Sequence, residues 1–198
     1  MSLSPQMPLA TAKDYAGKIV AWLAPFCERI EIAGSIRRRR PQCADVDIVC
    51  IPIVTEALDL LGAVQSRSNR LLEFLQDYVQ ERNPSRSQHL KPYFVSGGEK
   101  EGKQCILELN KCQLDLWFAT PETLATRLLC RTGSREHNIW IAERAKKLGG
   151  HWNPYEGLTL NGELVPARTE LELYAALQLP FIPPERREVN WLNQNFGV

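Results

Sequence analysis

The chain is 198 residues long, 44% apolar and 24% charged, with 24 basic against 23 acidic side chains and a formal net charge of +1. That length and balance predict one domain or two small ones around a real hydrophobic core, and exclude a disordered chain, a collagen-like chain and a uniformly basic nucleic-acid binder. No apolar run approaches the roughly 18 residues of a membrane span, and Met1 to Pro8 lacks the cationic-then-apolar pattern of a secretory signal.

The first helix is expected after Thr11-x-x-Asp14, a capping-box pattern, with Ala16, Ile19, Val20 and Leu23 at helical spacing until Pro25. Arg29 to Ala33 alternates as a strand with Ile30 and Ile32 on one face, and runs into Gly34-Ser35. A short apolar strand follows at Val46 to Pro52, then helices at Leu58 to Val64 and Leu71 to Val79. Strands are expected at Tyr93–Val95, Cys105–Leu109 and Gln113–Ala119, with turns at Gly97-Gly98 and Asn110-Lys111. Helices return at Leu124–Cys130 and Glu136–Leu148, closed by Gly149-Gly150. Asn161-Gly162 signals a small hairpin, Glu170–Leu177 a last helix, and Pro180 to Pro184 a segment too proline-rich to be helical. A boundary near residue 120 separates an α+β body from a smaller α/β lobe.

Asp45-Val46-Asp47 carries the most information. Residues two apart in a strand share a face, so two carboxylates project together from an otherwise apolar segment. They repel each other, burial raises the cost of ionising either, and a divalent cation relieves both penalties. The pattern also fits a strand that begins at Val46, with Asp45 in a solvated turn. In Gln113-Leu114-Asp115-Leu116-Trp117-Phe118, Asp115 lies opposite Leu114, Leu116 and Phe118. If that strand lies beside the first, three carboxylates meet on one surface, which suits two hard cations about 3.5–4 Å apart, holding a triphosphate and activating a hydroxyl.

Ahead of the acids, Gly34-Ser35-Ile36-Arg37-Arg38-Arg39-Arg40 follows a strand directly. Glycine admits close backbone approach, serine offers a hydroxyl and arginine recognises phosphate bidentately, although such a loop alone also reads as a solvated basic turn. Six cysteines, Cys27, Cys43, Cys50, Cys105, Cys112 and Cys130, include no C-x-x-C pair and read as reduced, mostly buried thiols, with Cys43 in a loop open to solvent. His89, His137 and His151 show no ligand spacing. The five tryptophans read as core or lobe-contact residues. Residues 127–147 hold Arg127, Arg131, Arg135, Arg144, Lys146 and Lys147 against Glu136 and Glu143, a local excess of four positive charges.

Gly34-Ser35-x-Arg37-Arg38 followed by Asp45-x-Asp47 resembles the nucleotidyltransferase signature of the DNA polymerase beta superfamily. Thr132-Gly133-Ser134-Arg135-Glu136-His137-Asn138, Trp152 to Leu158, Glu170 to Tyr174 and Leu179 to Arg187 resemble, in order, the thumb segments of family X DNA polymerases. The resemblance covers about residues 12–190.

It implies an α+β fold: a nucleotidyltransferase palm of mixed sheet with helices over 1–120, then a small α/β thumb over 121–198. It implies magnesium-dependent addition of nucleotides to a DNA 3′ end with release of pyrophosphate, in short-gap repair-type synthesis. Asp45 and Asp47 would bind both Mg²⁺ ions, for which Mn²⁺ can substitute, and Asp115 only the ion that activates the primer hydroxyl. Ser35 and Arg38 would hold the β and γ phosphates with Gly34 allowing the approach, Thr132-Gly133 would form the turn along which the sugar lies, and Asn138 would contact the base edge. From the local charge rather than the resemblance, Arg131 and Arg135 are expected to contact DNA, with Lys91, Lys100 and Lys103 of the hairpin around Gly97-Gly98 adding phosphate contacts.

The implied partners are gapped or primer–template DNA and dNTP, with rNTP also admitted. A monomer that does not engage membranes is expected, cytoplasmic or nucleoid-associated and not secreted. The family's lyase and fingers domains have no counterpart in this sequence, so lyase activity is not expected. Arg39 stands where a glycine commonly follows the paired arginines. Cys130-Arg131 replace the usual Tyr-Phe beside the sugar, which implies discrimination between deoxy- and ribonucleotides below about a thousandfold. The alternatives are a nucleotidyltransferase acting on a small molecule or protein, and a non-catalytic DNA-end-binding protein.

Overall fold

In the computed structural model, which describes residues 6–58, 61, 63–82, 104–109, 112–153 and 156–196, the chain opens with strand β1 (Met7–Pro8) and helix α1 (Leu9–Leu23). Then come β2 (Cys27–Ile32), the one-turn helix α2 (Gly34–Arg37), β3 (Gln42–Cys43), β4 (Asp45–Pro52), β5 (Val54–Leu58), β6 (Val64–Asn69) and α3 (Arg70–Arg82). They are followed by β7 (Gln104–Leu109), β8 (Cys112–Phe118), α4 (Leu124–Thr132), α5 (Arg135–Lys147), β9 (Gly150–Asn153), β10 (Gly157–Leu160), β11 (Glu163–Leu164), α6 (Glu170–Ala176) and α7 (Val189–Phe196). The expected strand at Tyr93–Val95, the turns at Gly97-Gly98 and Asn110-Lys111, His89 and the three hairpin lysines lie outside the described residues.

Helix α1 buries Ala12, Ala16, Ile19 and Leu23, a stripe at alternating spacings of four and three residues. It begins directly after Pro8, so Thr11 falls inside the helix and the expected capping box is not formed. A second expectation is overturned at Leu58–Val64, where β5 and β6 pair antiparallel instead of forming a helix. Helical spacing of apolar residues has force only where a core receives them, and Leu58, Leu61 and Val64 are all exposed. Backbone pairing therefore decides that segment. Asn161 and Gly162, both at positive φ, make the expected tight turn between β10 and β11.

The central sheet has the order β2-β4-β8-β7, antiparallel at both outer pairs and parallel at the β4–β8 centre. Its two faces are unlike. Val46, Ile48 and Cys50 of β4, with Leu114, Leu116 and Phe118 of β8, pack with α1 and α3 into the main core. On the opposite face, Val49, Ile51, Trp117 and Ala119 pack with Leu124 and Leu128 of α4. A separate core of α4, α5, α6, α7 and the β9–β11 sheet centres on Leu129, Ile141, Leu158, Leu173 and Leu192.

Three of the described cysteines, Cys43, Cys50 and Cys112, are buried, while Cys27 and Cys130 are half-buried. Cys43 is thus not the open loop residue its sequence neighbours suggest: it sits in β3, paired with Met7 of β1, and packs into the main core. Among the described residues no helix is long and apolar enough to cross a membrane.

Candidate active site

The face of the central sheet that carries Val49 and Trp117 continues, two residues earlier on each strand, as acid. Asp47 lies directly opposite Asp115 across the parallel β4–β8 ladder, and Asp45 opposite Gln113. With neighbouring strands about 4.8 Å apart, the three carboxylates sequence reasoning singled out share one surface. Their electrostatics show the crowding. Burial first and then the Asp45 charge push the Asp47 carboxyl up to about 7. Burial also raises Asp45 and Asp115, and the Asp45 charge adds to the rise at Asp115. Such a group of oxygen donors, short of positive charge, is the donor chemistry of a hard divalent cation, and the residues fit one.

The carboxylates are not closed into a cage. Among the described residues no three His, Cys, Asp or Glu side chains are gathered as they would be around a metal. Two of the three acids are engaged by neighbours instead. The Trp117 indole Nε1–H donates to Asp47 Oδ1 at 3.2 Å, and Gln113 Nε2 donates to Asp115 Oδ1 at 2.8 Å. The Arg131 guanidinium lies 3.2 Å from the centroid of the Trp117 ring, and its charge favours the ionised forms of Asp47 and Asp115. Trp117 and Gln113 were not singled out as site residues from sequence. The signal was there, since both are two residues from Asp115 and a strand puts them on its face.

The loop before the acids is built as a turn around Asp47. Gly34 adopts φ +60°, and a Cβ there would overlap Asp47 Oδ2 and lie 2.8 Å from its Cγ. Only glycine gives both the backbone conformation and the approach. The Ser35 hydroxyl is buried with no hydrogen-bond partner among the described residues, an orphan donor next to Gly34. Arg39 is at φ +57°, a left-handed conformation that costs a non-glycine residue energy and accounts physically for the glycine common at this place.

Each arginine of the 37–40 run reaches the C-terminal lobe. Arg37 forks onto both oxygens of Glu170 at 2.8 and 2.7 Å and donates to Thr132 Oγ1 at 2.7 Å. Arg38 Nη1 donates to the Thr132 carbonyl, and its Nε to Glu188 Oε1 at 2.7 Å. Arg39 pairs with Glu185, and Arg40 with Glu188. Glu170 in turn holds the fully buried Arg187 through Nη1 at 2.8 Å, and these two arginines keep its carboxyl below the usual range despite burial.

Beside this junction is an open cavity of about 480 Å³, lined by Arg38, Gly133, Ser134, Arg135, Asn138 and Trp152 among others. Thr132 and Gly133 end α4 at its mouth; the Gly133–Ser134 peptide is cis. Asn138 Nδ2 donates to the Cys130 carbonyl at 2.7 Å, so its amide is held against the cavity wall. Arg135 is exposed. Arg127, counted with the basic face from sequence, is 3% exposed and cannot present its charge to a ligand on the surface. Arg144 is tied to the Leu177 carbonyl and Gln178. His137 is buried and bonded to the Tyr174 hydroxyl at 2.6 Å, a packing role.

A mixed sheet with paired acids on one face and a helical lobe clasped to the loop before them defines the polymerase beta type of α+β fold. The comparisons agree. Residues 127–188 match the DNA polymerase beta thumb family. The chain is 30% identical over 186 residues to the DNA polymerase/3′-5′ exonuclease PolX of Bacillus subtilis, covering 92% of this chain and 29% of that protein. It is 30% identical over 108 residues to DNA polymerase IV of Saccharomyces cerevisiae, covering 52% of this chain and 17% of that one. The polymerase beta of Leishmania infantum, in a ternary P/T complex, superposes with a TM-score of 0.61 at 16% identity, over 94% of this chain and 78% of that one. The chain is a relative of the family X DNA polymerases, and it spans less than a third of the length of the two curated relatives.

Proposed function

We propose that the chain is a DNA-directed nucleotidyltransferase that extends a DNA 3′ end and releases pyrophosphate, in short-gap repair-type synthesis. Residues 1–120 act as the palm and 121–198 as the thumb. The observation that carries the reading is the register of Asp47 against Asp115, with Asp45 on the same sheet face and the turn at Gly34 packed on Asp47. In this reading Asp45, Asp47 and Asp115 hold Mg²⁺, which when bound supplies charge neutralisation at the transferring phosphate and acidifies the attacking hydroxyl.

The chain's own groups do the rest. The orphaned Ser35 hydroxyl and Arg38 hold the β and γ phosphates, and the turn at Gly34 lets them approach the acids. Asp115, steadied by Gln113, accepts the proton of the primer 3′-hydroxyl. The cavity beside Thr132, Gly133 and Asn138 receives sugar and base, and Arg131 and Arg135 meet the DNA backbone. The test is extension of gapped, nicked and single-stranded primers with each dNTP and rNTP, for the natural chain and Asp115→Asn. Extension by the former and none by an equally stable variant is expected; turnover by Asp115→Asn at the natural rate overturns the assignment.

A further inference from the structure

Arg38 stands in two roles that compete for its donors. As the proposed phosphate ligand it must point a guanidinium at the triphosphate. In the structure its Nε is spent on Glu188 Oε1, and its Nη1 on the Thr132 carbonyl. The pair is substantially shielded, with the Arg38 side chain 17% and the Glu188 side chain 26% exposed. Arg38 lines the 480 Å³ cavity and caps the C-terminal end of the one-turn helix that carries Ser35, whose hydroxyl has no partner among the described residues. A carboxylate and a phosphate oxygen are alike to a guanidinium: both are planar-approach acceptors of a charge-assisted bond. Both cannot take the same N–H, and a carboxylate left beside a bound triphosphate repels it.

Glu188 has somewhere to go. Its second oxygen lies 3.3 Å from Nη1 of Arg40, an exposed cation outside the cavity lining. Its backbone carbonyl is fixed by the Trp191 and Leu192 amides at the start of α7, so only the side chain is at liberty to shift.

We propose that Glu188 is a placeholder for nucleotide phosphate: it holds Arg38 in the absence of nucleotide and yields it to the triphosphate, withdrawing onto Arg40. This rests on the nucleotide reading above and adds to it a residue that sets triphosphate affinity from the opposite lobe. No covalent step is involved; one charge-assisted hydrogen bond is exchanged for another. The exchange makes Glu188 a competitor whose strength is subtracted from triphosphate affinity.

The test measures binding of inorganic tripolyphosphate and of dATP, each with Mg²⁺ and without DNA, by calorimetry to the full chain and to Glu188→Gln and Arg38→Gln. Glu188→Gln keeps the size and one acceptor but loses the charge. It should bind both ligands about three- to tenfold more tightly, while melting at a slightly lower temperature without ligand. A merely structural glutamate would give the lower melting temperature with no gain in affinity. Unchanged or weaker binding by Glu188→Gln, with Arg38→Gln weakened as the nucleotide reading requires, overturns the placeholder alone. Binding by none of the three proteins, or by all three equally, overturns the nucleotide reading at Arg38 and the placeholder with it.

Discussion

Replacing Glu170 by Gln tests how the two lobes are joined. Glu170 is 7% exposed and its two oxygens accept from Arg37 Nη1, Arg37 Nη2 and Arg187 Nη1, while Arg187 is completely buried. The amide keeps the shape but removes the charge and turns an N–H₂ toward one guanidinium. Arg37, at 24% side-chain exposure, can recover part of its solvation, whereas Arg187 cannot. Leaving one buried cation without its partner costs about 3–5 kcal/mol. For a chain of this length each kcal/mol lowers the midpoint by about 2–4 °C, so a fall of about 6–20 °C is expected by circular dichroism. Adding Arg187→Met to the variant should restore part of the loss, because the stranded charge is then gone. A Glu170→Gln midpoint within about 2 °C of the natural chain, or a double variant worse than the sum of the two singles, would refute the assignment of the cost to an unpaired buried arginine.

Gly34→Ala should abolish primer extension and lower stability by about 1–3 kcal/mol, since the new methyl group must displace the Asp47 carboxylate and the backbone is left-handed there; activity above a tenth of natural would count against the close packing. His137 gives a pH dependence. Burial, reinforced by the Arg187 charge, lowers its pKa from 6.5 to about 3, so the folded chain holds it neutral where the unfolded chain protonates it. Its contribution is intact above pH 6.5 and is lost by about 1.4 kcal/mol per unit as pH falls toward 3. Asp47, raised from 3.8 to about 7, acts in the opposite sense, contributing stability that is intact below pH 3.8 and is lost as pH rises toward 7. Urea melts of the natural chain and His137→Gln at pH 7, 5 and 4 separate the two, because only the histidine contribution differs between them; parallel curves would exclude it.

The sites of the three acids were legible because strand periodicity is strict: once Asp45, Asp47 and Asp115 are on strands, their faces follow. The sequence cannot state that β4 and β8 pair directly, in parallel and in that register, since this is a long-range choice made by the main core. The same limit hid the partners of the arginine run. Its composition reads equally as a solvated loop or a phosphate cradle, and the carboxylates that engage it, Glu170, Glu185 and Glu188, lie well over a hundred residues further on. At Leu58–Val64 local spacing misleads for the complementary reason: the segment reads as a helix, but Leu58, Leu61 and Val64 are exposed, and Leu58 pairs with Val64 across β5 and β6. Trp117 shows a third case. Its burial follows from the pattern, but the use of its indole N–H to orient Asp47 is set by geometry that composition does not encode.

The clasp between residues 37–40 and the C-terminal lobe has a practical corollary for anyone recombining such proteins. A chimaera that imports everything past residue 120 from a relative also exchanges the counterions of four consecutive arginines. Its substrate affinity and its melting behaviour would then move together, even with every acid of the sheet untouched. Grafts made in matched sets, loop with lobe, keep the two properties separable.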